Sequence, residues 1–227
     1  MMQIVPVLDL KGGIVVHARR GQRAEYAPLR SPLVEGCEPV EVARALCAVC
    51  RTRTLYVADL DAIAGRPVDE PTLAALASFA EPWVDAGATT PEAAAALRRA
   101  GVARNVVGTE SLGPDADIRP PTVLSVDLRE GRLISPRPEL AGRGAVAVVP
   151  LARALAVGEL LVIDLVRVGS GAGPPLDAVT ALADALPGVA IYAGGGVRDD
   201  DDLRALESAG AAGALVATAL HEGRITP

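Results

Sequence analysis

The chain repeats itself, and that repeat limits what it can fold into more than any other feature. Asp9-Leu10-Lys11-Gly12-Gly13-Ile14-Val15-Val16 returns as Asp127-Leu128-Arg129-Glu130-Gly131-Arg132-Leu133-Ile134, each copy following an apolar run that closes on the aspartate. Leu55-Tyr56-Val57-Ala58-Asp59-Leu60 pairs with Leu160-Leu161-Val162-Ile163-Asp164-Leu165. A third match sets residues 83–87, Gly101 and Val107-Gly108-Thr109 against residues 191–196, Gly210 and Val216-Ala217-Thr218. Three matches in one order predict two half-chains, roughly 1–115 and 116–227, each burying its apolar face against the other.

Short apolar runs alternate with stretches of helical period, the pattern of βα units around a parallel sheet. Strands are expected at 3–9, 54–59, 82–86, 105–108, 122–127, 160–164, 189–193 and 214–217, and helices at 39–51, 70–79, 91–100, 151–157, 176–186 and 199–209. Eight such units predict the α/β class and one (β/α)8 barrel over residues 1–227, a length that suits a single domain of this kind. Thr90-Pro91-Glu92 and Asp199-Asp200-Asp201 place cap formers and acids at helix starts. The acidic run at 199–202 is therefore read as a helix start and not as a metal site. The Pro/Gly-rich stretches 26–39, 113–121, 131–144 and 169–175 read as loops, three of them after strands, on the face where barrels carry their sites.

A net charge of −6, a pI near 5.0 and five aromatic residues argue against a nucleic-acid surface, so a small-molecule partner is expected. No apolar run approaches a membrane span and no leader pattern opens the chain, which predicts a soluble, cytoplasmic protein without a membrane partner. Cys47 and Cys50 fall within a helical period and read as small apolar residues. His17 and His221 have no metal-ligand neighbours, and no zinc, P-loop or Ser-His-Asp pattern is visible, so no metal or cofactor is expected. Nothing in the sequence specifies an oligomeric state.

Asp9 and Asp127 occupy equivalent places at the ends of strands one and five, which face each other across an eight-stranded barrel. Two carboxylates on one cavity can differ in pKa by burial and hydrogen bonding, so that one removes a proton while the other donates. The alternative is that each caps its own loop. Asp59 and Asp164 end strands two and six and could equally serve the site or hold loops.

Residues 192–199 run from a strand through Gly194, Gly195 and Gly196 into Arg198 and a helix. Glycines allow close approach of backbone N–H groups to an anion, which predicts a phosphate site there, with Ala217 and Thr218 from the next strand end. A tight turn is the alternative. The related stretch around Gly87, with Gly108 and Thr109, keeps one glycine of three and carries Asp85, and forms a second, poorer candidate phosphate site. Lys11, the only lysine, lies two residues after Asp9; it is either a solvated or phosphate-contacting residue or a Schiff-base amine for a lyase.

Val5-Pro6-Val7-Leu8-Asp9-Leu10-Lys11-Gly12-Gly13, Val57-Ala58-Asp59-Leu60-Asp61-Ala62, Ser125-Val126-Asp127-Leu128 and Gly194-Gly195-Gly196-Val197-Arg198 together resemble the histidine-biosynthesis barrels. That family includes phosphoribosylformimino-aminoimidazole-carboxamide ribotide isomerase and the cyclase subunit of imidazole glycerol phosphate synthase. The resemblance covers essentially the whole chain. It implies a half-barrel duplication, a doubly phosphorylated ligand, and Asp9 as base with Asp127 as acid or orienting group in an Amadori aldose–ketose rearrangement. The chain departs from the isomerase pattern at strand six, where Ile163 and Val168-Gly169 replace a threonine and an Asp-Gly pair. It also lacks a tryptophan near strand five. These departures are similar to those of divergent relatives in organisms with methanopterin-type one-carbon metabolism, which implies a different phosphorylated substrate or a non-catalytic binding barrel as alternatives.

Overall fold

The computed structural model describes residues 2–118 and 122–225. Eight strands form the barrel: β1 (Gln3–Lys11), β2 (Thr54–Asp59), β3 (Glu81–Asp85), β4 (Arg104–Gly108), β5 (Thr122–Arg129), β6 (Glu159–Asp164), β7 (Ala190–Gly194) and β8 (Gly213–Val216). Each pairs in parallel with the next. β8 returns to β1 in the register Gln3↔Gly213 to Pro6↔Val216, which closes the sheet. Closure removes both sheet edges, so every strand can be apolar on its two faces without exposing a pairing surface.

Helices α1 (Pro39–Cys50), α2 (Leu60–Ile63), α3 (Glu70–Ala77), α4 (Pro91–Arg99), α5 (Val149–Ala154), α6 (Leu176–Ala185), α7 (Asp200–Ser208) and α8 (Thr218–His221) surround the strands. In α1 the buried residues Val42, Leu46 and Cys50 recur at intervals of four, which turns one stripe of the helix onto the barrel. Thr90 Oγ1 accepts the Ala93 N–H at 3.2 Å, and Asp199 Oδ1 accepts the Asp202 N–H at 3.1 Å. Each such cap is worth about 1 kcal/mol over alanine. Gly101 and Gly210 leave their helices at φ +79° and +92°, the left-handed exit that glycine permits.

The core has two layers. The larger lies between strands and helices; the smaller, with Val5, Tyr56, Trp83, Val106, Val123, Leu161, Tyr192 and Leu215, fills the barrel interior. Trp83 and Tyr192 meet edge to face with centroids 5.0 Å apart, a geometry the aromatic quadrupole favours. Above this plug, open space lies toward the C-terminal ends of the strands. Cys37, Cys47 and Cys50 are free thiols, and burial pushes Cys50 up to about 12, so it carries no thiolate chemistry at neutral pH. Among the described residues no helix is long and apolar enough to cross a membrane.

The structure corrects several boundaries. β1 and β5 do not end on Asp9 and Asp127. Each runs two residues further, because Ile14–His17 and Arg132–Leu133 fold back as antiparallel partners. Both hairpins turn on two residues with positive φ, Gly12-Gly13 (+62° and +78°) and Glu130-Gly131 (+53° and +74°), as tight two-residue turns require. The helix expected at 151–157 starts at Val149, after a 3-10 turn at Ala145–Val148. A short helix, α2, and a terminal one, α8, were not expected. Residues 109–118 contain no helix, and 119–121, within the expected loop 113–121, lie outside the described residues.

Candidate active site

A cavity of about 350 Å³ opens at the C-terminal ends of the strands. Asp85, Glu110 and Asp127 line one side of it, Gly194, Gly195, Gly196, Ala217 and Thr218 line the other, and Asp9 stands on β1 beside β8, across from Asp127. The barrel order puts β3 and β4, which bring the acids Asp85 and Glu110, across from β7 and β8, which bring the glycines and Thr218.

Asp127 is 4% exposed and its carboxyl is held on both oxygens. Ser125 Oγ donates to Oδ1 at 2.7 Å and the Glu110 N–H donates to Oδ2 at 3.2 Å. The Asp127 N–H in turn donates to Thr109 Oγ1 at 3.0 Å. Burial pushes this carboxyl up to about 8, with the charges of Asp85 and Glu110 adding to the rise and its hydrogen bonds opposing it. Asp9 is only partly covered, but the surrounding wall desolvates it and raises it to about 7, against the pull of Arg23. Asp85 reaches about 7 by burial, while the Gly87 N–H at 3.1 Å on its Oδ1 works the other way.

Over the acids lies the segment that follows the first hairpin. Arg23 forms an ion pair with Glu110, and Lys11 Nζ donates to the Arg23 carbonyl at 2.6 Å. The Arg20 N–H donates to the Val168 carbonyl at 2.8 Å, which ties the same segment to the loop after β6. Gly169 lies at the cavity wall with φ +59°, and a Cβ there would sit 2.5 Å from the Ala18 carbonyl oxygen.

On the opposite rim Gly195 and Gly196 have φ of +91° and +87°. Added Cβ atoms would stand 2.8 Å from the Asp164 carbonyl oxygen and 2.6 Å from that of Gly173, so only glycine fits. Among the described residues the N–H groups of Gly196, Val197 and Thr218 donate to no other protein group, which leaves them for an anion. Thr218 Oγ1 lies 3.4 Å from His17 Nε2. His221, bonded through Nδ1 to Ser31 Oγ at 2.9 Å, is lowered to about 4 by burial and the neighbouring His17, and is neutral at pH 7.

Several expected site residues are placed elsewhere. Arg198 does not line the cavity: its Nε and Nη2 bind the two carboxylate oxygens of Asp202 at 2.8 and 2.7 Å, one helical turn away, so its charge is already matched. The second phosphate site at Gly87, Gly108 and Thr109 is not assembled as an anion site. Gly87 serves Asp85, Thr109 is fully buried against Asp127, and the space beside Gly108 is filled by the Asp127 carboxyl. Lys11 is outside the cavity and tethers a loop, which leaves no amine there for a Schiff base. Asp59 and Asp164 take the loop-holding role. Asp59 accepts the Ala62 N–H at 3.0 Å, and Asp164 accepts the Glu130 and Gly131 N–H groups at 3.2 and 2.9 Å.

Arg23, Tyr26, Tyr56 and Glu110 were not expected at the site. Glu110 directly follows the Val107-Gly108-Thr109 motif and Asp85 closes β3, so strand-end position was their signal. Arg23 comes from an irregular segment and had none. Among the described residues no group of three His, Cys, Asp or Glu side chains could hold a metal ion.

A closed parallel barrel that gathers carboxyls and unpaired backbone N–H groups around one cavity at its strand C-termini has the layout of a barrel enzyme. The chain belongs to the family described as histidine biosynthesis protein, which matches residues 3–226. It is 36% identical over 236 residues to a 1-(5-phosphoribosyl)-5-((5-phosphoribosylamino)methylideneamino) imidazole-4-carboxamide isomerase of Rubrobacter xylanophilus, covering 98% of this chain and 93% of the relative. The isomerase of the same name from Sorangium cellulosum is 33% identical, covering 99% and 96%. An uncharacterized protein of Methanocaldococcus jannaschii is 29% identical over 98% of this chain and 94% of its own length.

Proposed function

We propose that this barrel is an isomerase that converts a phosphorylated aminoaldose into the corresponding aminoketose, with Asp9 as base and Asp127 as acid. The observation that carries this reading is the pair of carboxyls, Asp9 and Asp127, facing one cavity from opposite strands and raised to about 7 and about 8, with unpaired backbone N–H groups on its β7–β8 rim. The names of the relatives support the same class of reaction.

The chemistry follows from the protonation states. Asp127 titrates higher and holds its proton near neutrality, so it can protonate the ring oxygen of the sugar as the C1–O bond breaks. The nitrogen lone pair on C1 then closes to an iminium. Asp9, ionised in a larger fraction at the same pH, removes the C2 proton, and the C–H electron pair forms the C1–C2 double bond while neutralising the iminium. Tautomerisation of this enol gives the C2 ketone and a second hydrogen on C1. Phosphate held at Gly195, Gly196 and Thr218 fixes the sugar against these two groups, so the proton transfers become intramolecular in effect. The sequence repeat supports reading the barrel as two fused half-units, 1–115 and 116–227, that each supplied one of the two aspartates.

The test is turnover of the ribotide used by the isomerase relatives, followed by its absorbance change, together with a panel of phosphorylated aminoaldoses followed by NMR in D2O. Solvent deuterium should appear at C1 of the product. Phosphate binding without deuterium incorporation into any member would favour a non-catalytic binding barrel instead.

A further inference from the structure

We propose that His17 supplies the positive charge for a phosphate group seated on the glycine rim of β7 and β8, and reaches it through the hydroxyl of Thr218. This rests on the reading of that rim as the anion site and adds to it a side chain 201 residues from Thr218 in sequence. Strand order brings the two together. β8 closes onto β1 with Val216 beside Pro6, and the hairpin after β1 returns with Val16 opposite Asp9. His17, the next residue, thus meets the chain as it leaves β8, two residues past Val216.

The rim N–H groups of Gly196, Val197 and Thr218 are neutral donors, so a dianion bound to them alone would lack a counter-charge. The side chains with basic nitrogen on the cavity wall are those of His17, Arg23, His221 and Arg224. Arg23 is paired with Glu110 and Arg224 with Glu222. Arg198 is turned to Asp202. His221 is bonded to Ser31 and neutral at pH 7, so it places no like charge beside His17. Among the described residues the His17 ring has one partner, Thr218 Oγ1, 3.4 Å from Nε2; Asp9 and Tyr26, on the same wall, make no bond to it. When the ring takes a proton from solvent, both its nitrogens are donors. Nε2–H then donates to Thr218 Oγ1, and the threonine hydroxyl is left to donate its own proton to an anion held on the Thr218 N–H. A bond of this kind, assisted by charge, is about twice as strong as one between neutral groups.

The experiment joins calorimetry to proton NMR, which the chain suits because it has two histidines. His17→Gln should bind inorganic phosphate at least about tenfold more weakly than wild type, the scale of one hydrogen bond to a charged group. In wild type, with the two ring C–H signals assigned by substituting each histidine in turn, saturating phosphate should carry the titration of His17 to higher pH. Linkage requires this, because an anion beside the ring favours its protonated form. Unchanged phosphate affinity in His17→Gln overturns the inference and leaves the phosphate rim and the isomerase reading standing. Weaker binding with a His17 titration that phosphate does not move overturns it as well, since the residue then only shapes the rim. The wild-type titration decides the matter even if His17→Gln does not fold. Failure of wild type to bind phosphate at all removes the rim itself, and with it both this inference and the phosphosugar reading.

Discussion

Gly108 and Asp127 occupy one space: a Cβ built on Gly108 would stand well inside van der Waals contact distance of Asp127 Oδ2. The glycine at the end of β4 is thus there for the carboxyl of β5, and not for a ligand. Gly108→Ala should therefore force the Asp127 side chain out of position. Overpacking of this kind destabilises by roughly 1–3 kcal/mol, and turnover should fall with it. Thermal melts and kcat on Gly108→Ala, Asp127→Ala and the double variant check this. Asp127→Ala in the Gly108→Ala background should recover stability while activity stays lost; independent, additive effects on stability would separate the two residues.

In the proposed mechanism Asp9→Asn removes the base without changing the shape of the cavity. The loss of a general base is worth roughly 10²–10⁴ in rate, so kcat should drop by that order. The affinity for inorganic phosphate, held by backbone N–H groups of the β7–β8 rim, should stay the same. A variant that retains wild-type kcat would take Asp9 out of the mechanism.

The residues that proved hardest to read were those whose partners lie far away in sequence. Strand periodicity located all eight barrel strands to within about two residues, because closure buries both faces and leaves long apolar runs. The two hairpins extending β1 and β5 were visible only as Gly12-Gly13 and Glu130-Gly131, and they carry the strands past the two aspartates. Gly108 and Thr109 resembled the phosphate motif at 216–218. Spacing along one strand cannot reveal that the neighbouring strand places a carboxyl beside them. Arg198 and Asp202 are only four residues apart, yet the glycine run before Arg198 drew it into the phosphate reading, and its pairing with Asp202 was not read from the sequence. Arg23 acts through Glu110, 87 residues away, which no local pattern encodes.

The pH profile should be bell-shaped. In the proposed mechanism Asp9 must be ionised to act as base, so kcat/KM should rise as pH passes about 7; Asp127 must stay protonated to act as acid, so it should fall above about 8. Asp127→Asn should abolish the alkaline limb along with most of the rate. Stability should move the opposite way from the usual carboxylate. These acids have folded-state pKa values raised above 3.8, so the folded chain binds more protons, and the stability they contribute is lost as pH rises toward 7 and 8. His221, lowered to about 4, opposes this below about 6.5, where its unfolded form takes up a proton. Between about pH 6.5 and 8 the acids act alone, and the melting temperature should fall across that window. A melting temperature that climbs there would contradict the raised values.

Gly196→Ala and Arg198→Ala give a paired test of what holds phosphate. Alanine at 196 must adopt φ near +87° and place its Cβ 2.6 Å from the Gly173 carbonyl oxygen. Strain of that kind costs about 1–3 kcal/mol, and relief of it would turn the Gly196 and Val197 N–H groups away from the cavity. Binding of inorganic phosphate should be lost or severely weakened. Arg198→Ala removes a guanidinium already matched by Asp202, so phosphate affinity should be unchanged. Because Asp202 also accepts the Arg198 N–H at 2.9 Å, a bond that survives the substitution, the start of α7 should keep its geometry. Calorimetric titration of both variants distinguishes the two sources of anion affinity. If Arg198→Ala weakens phosphate while Gly196→Ala spares it, the anion is held by the guanidinium and not by the backbone of the glycine turn.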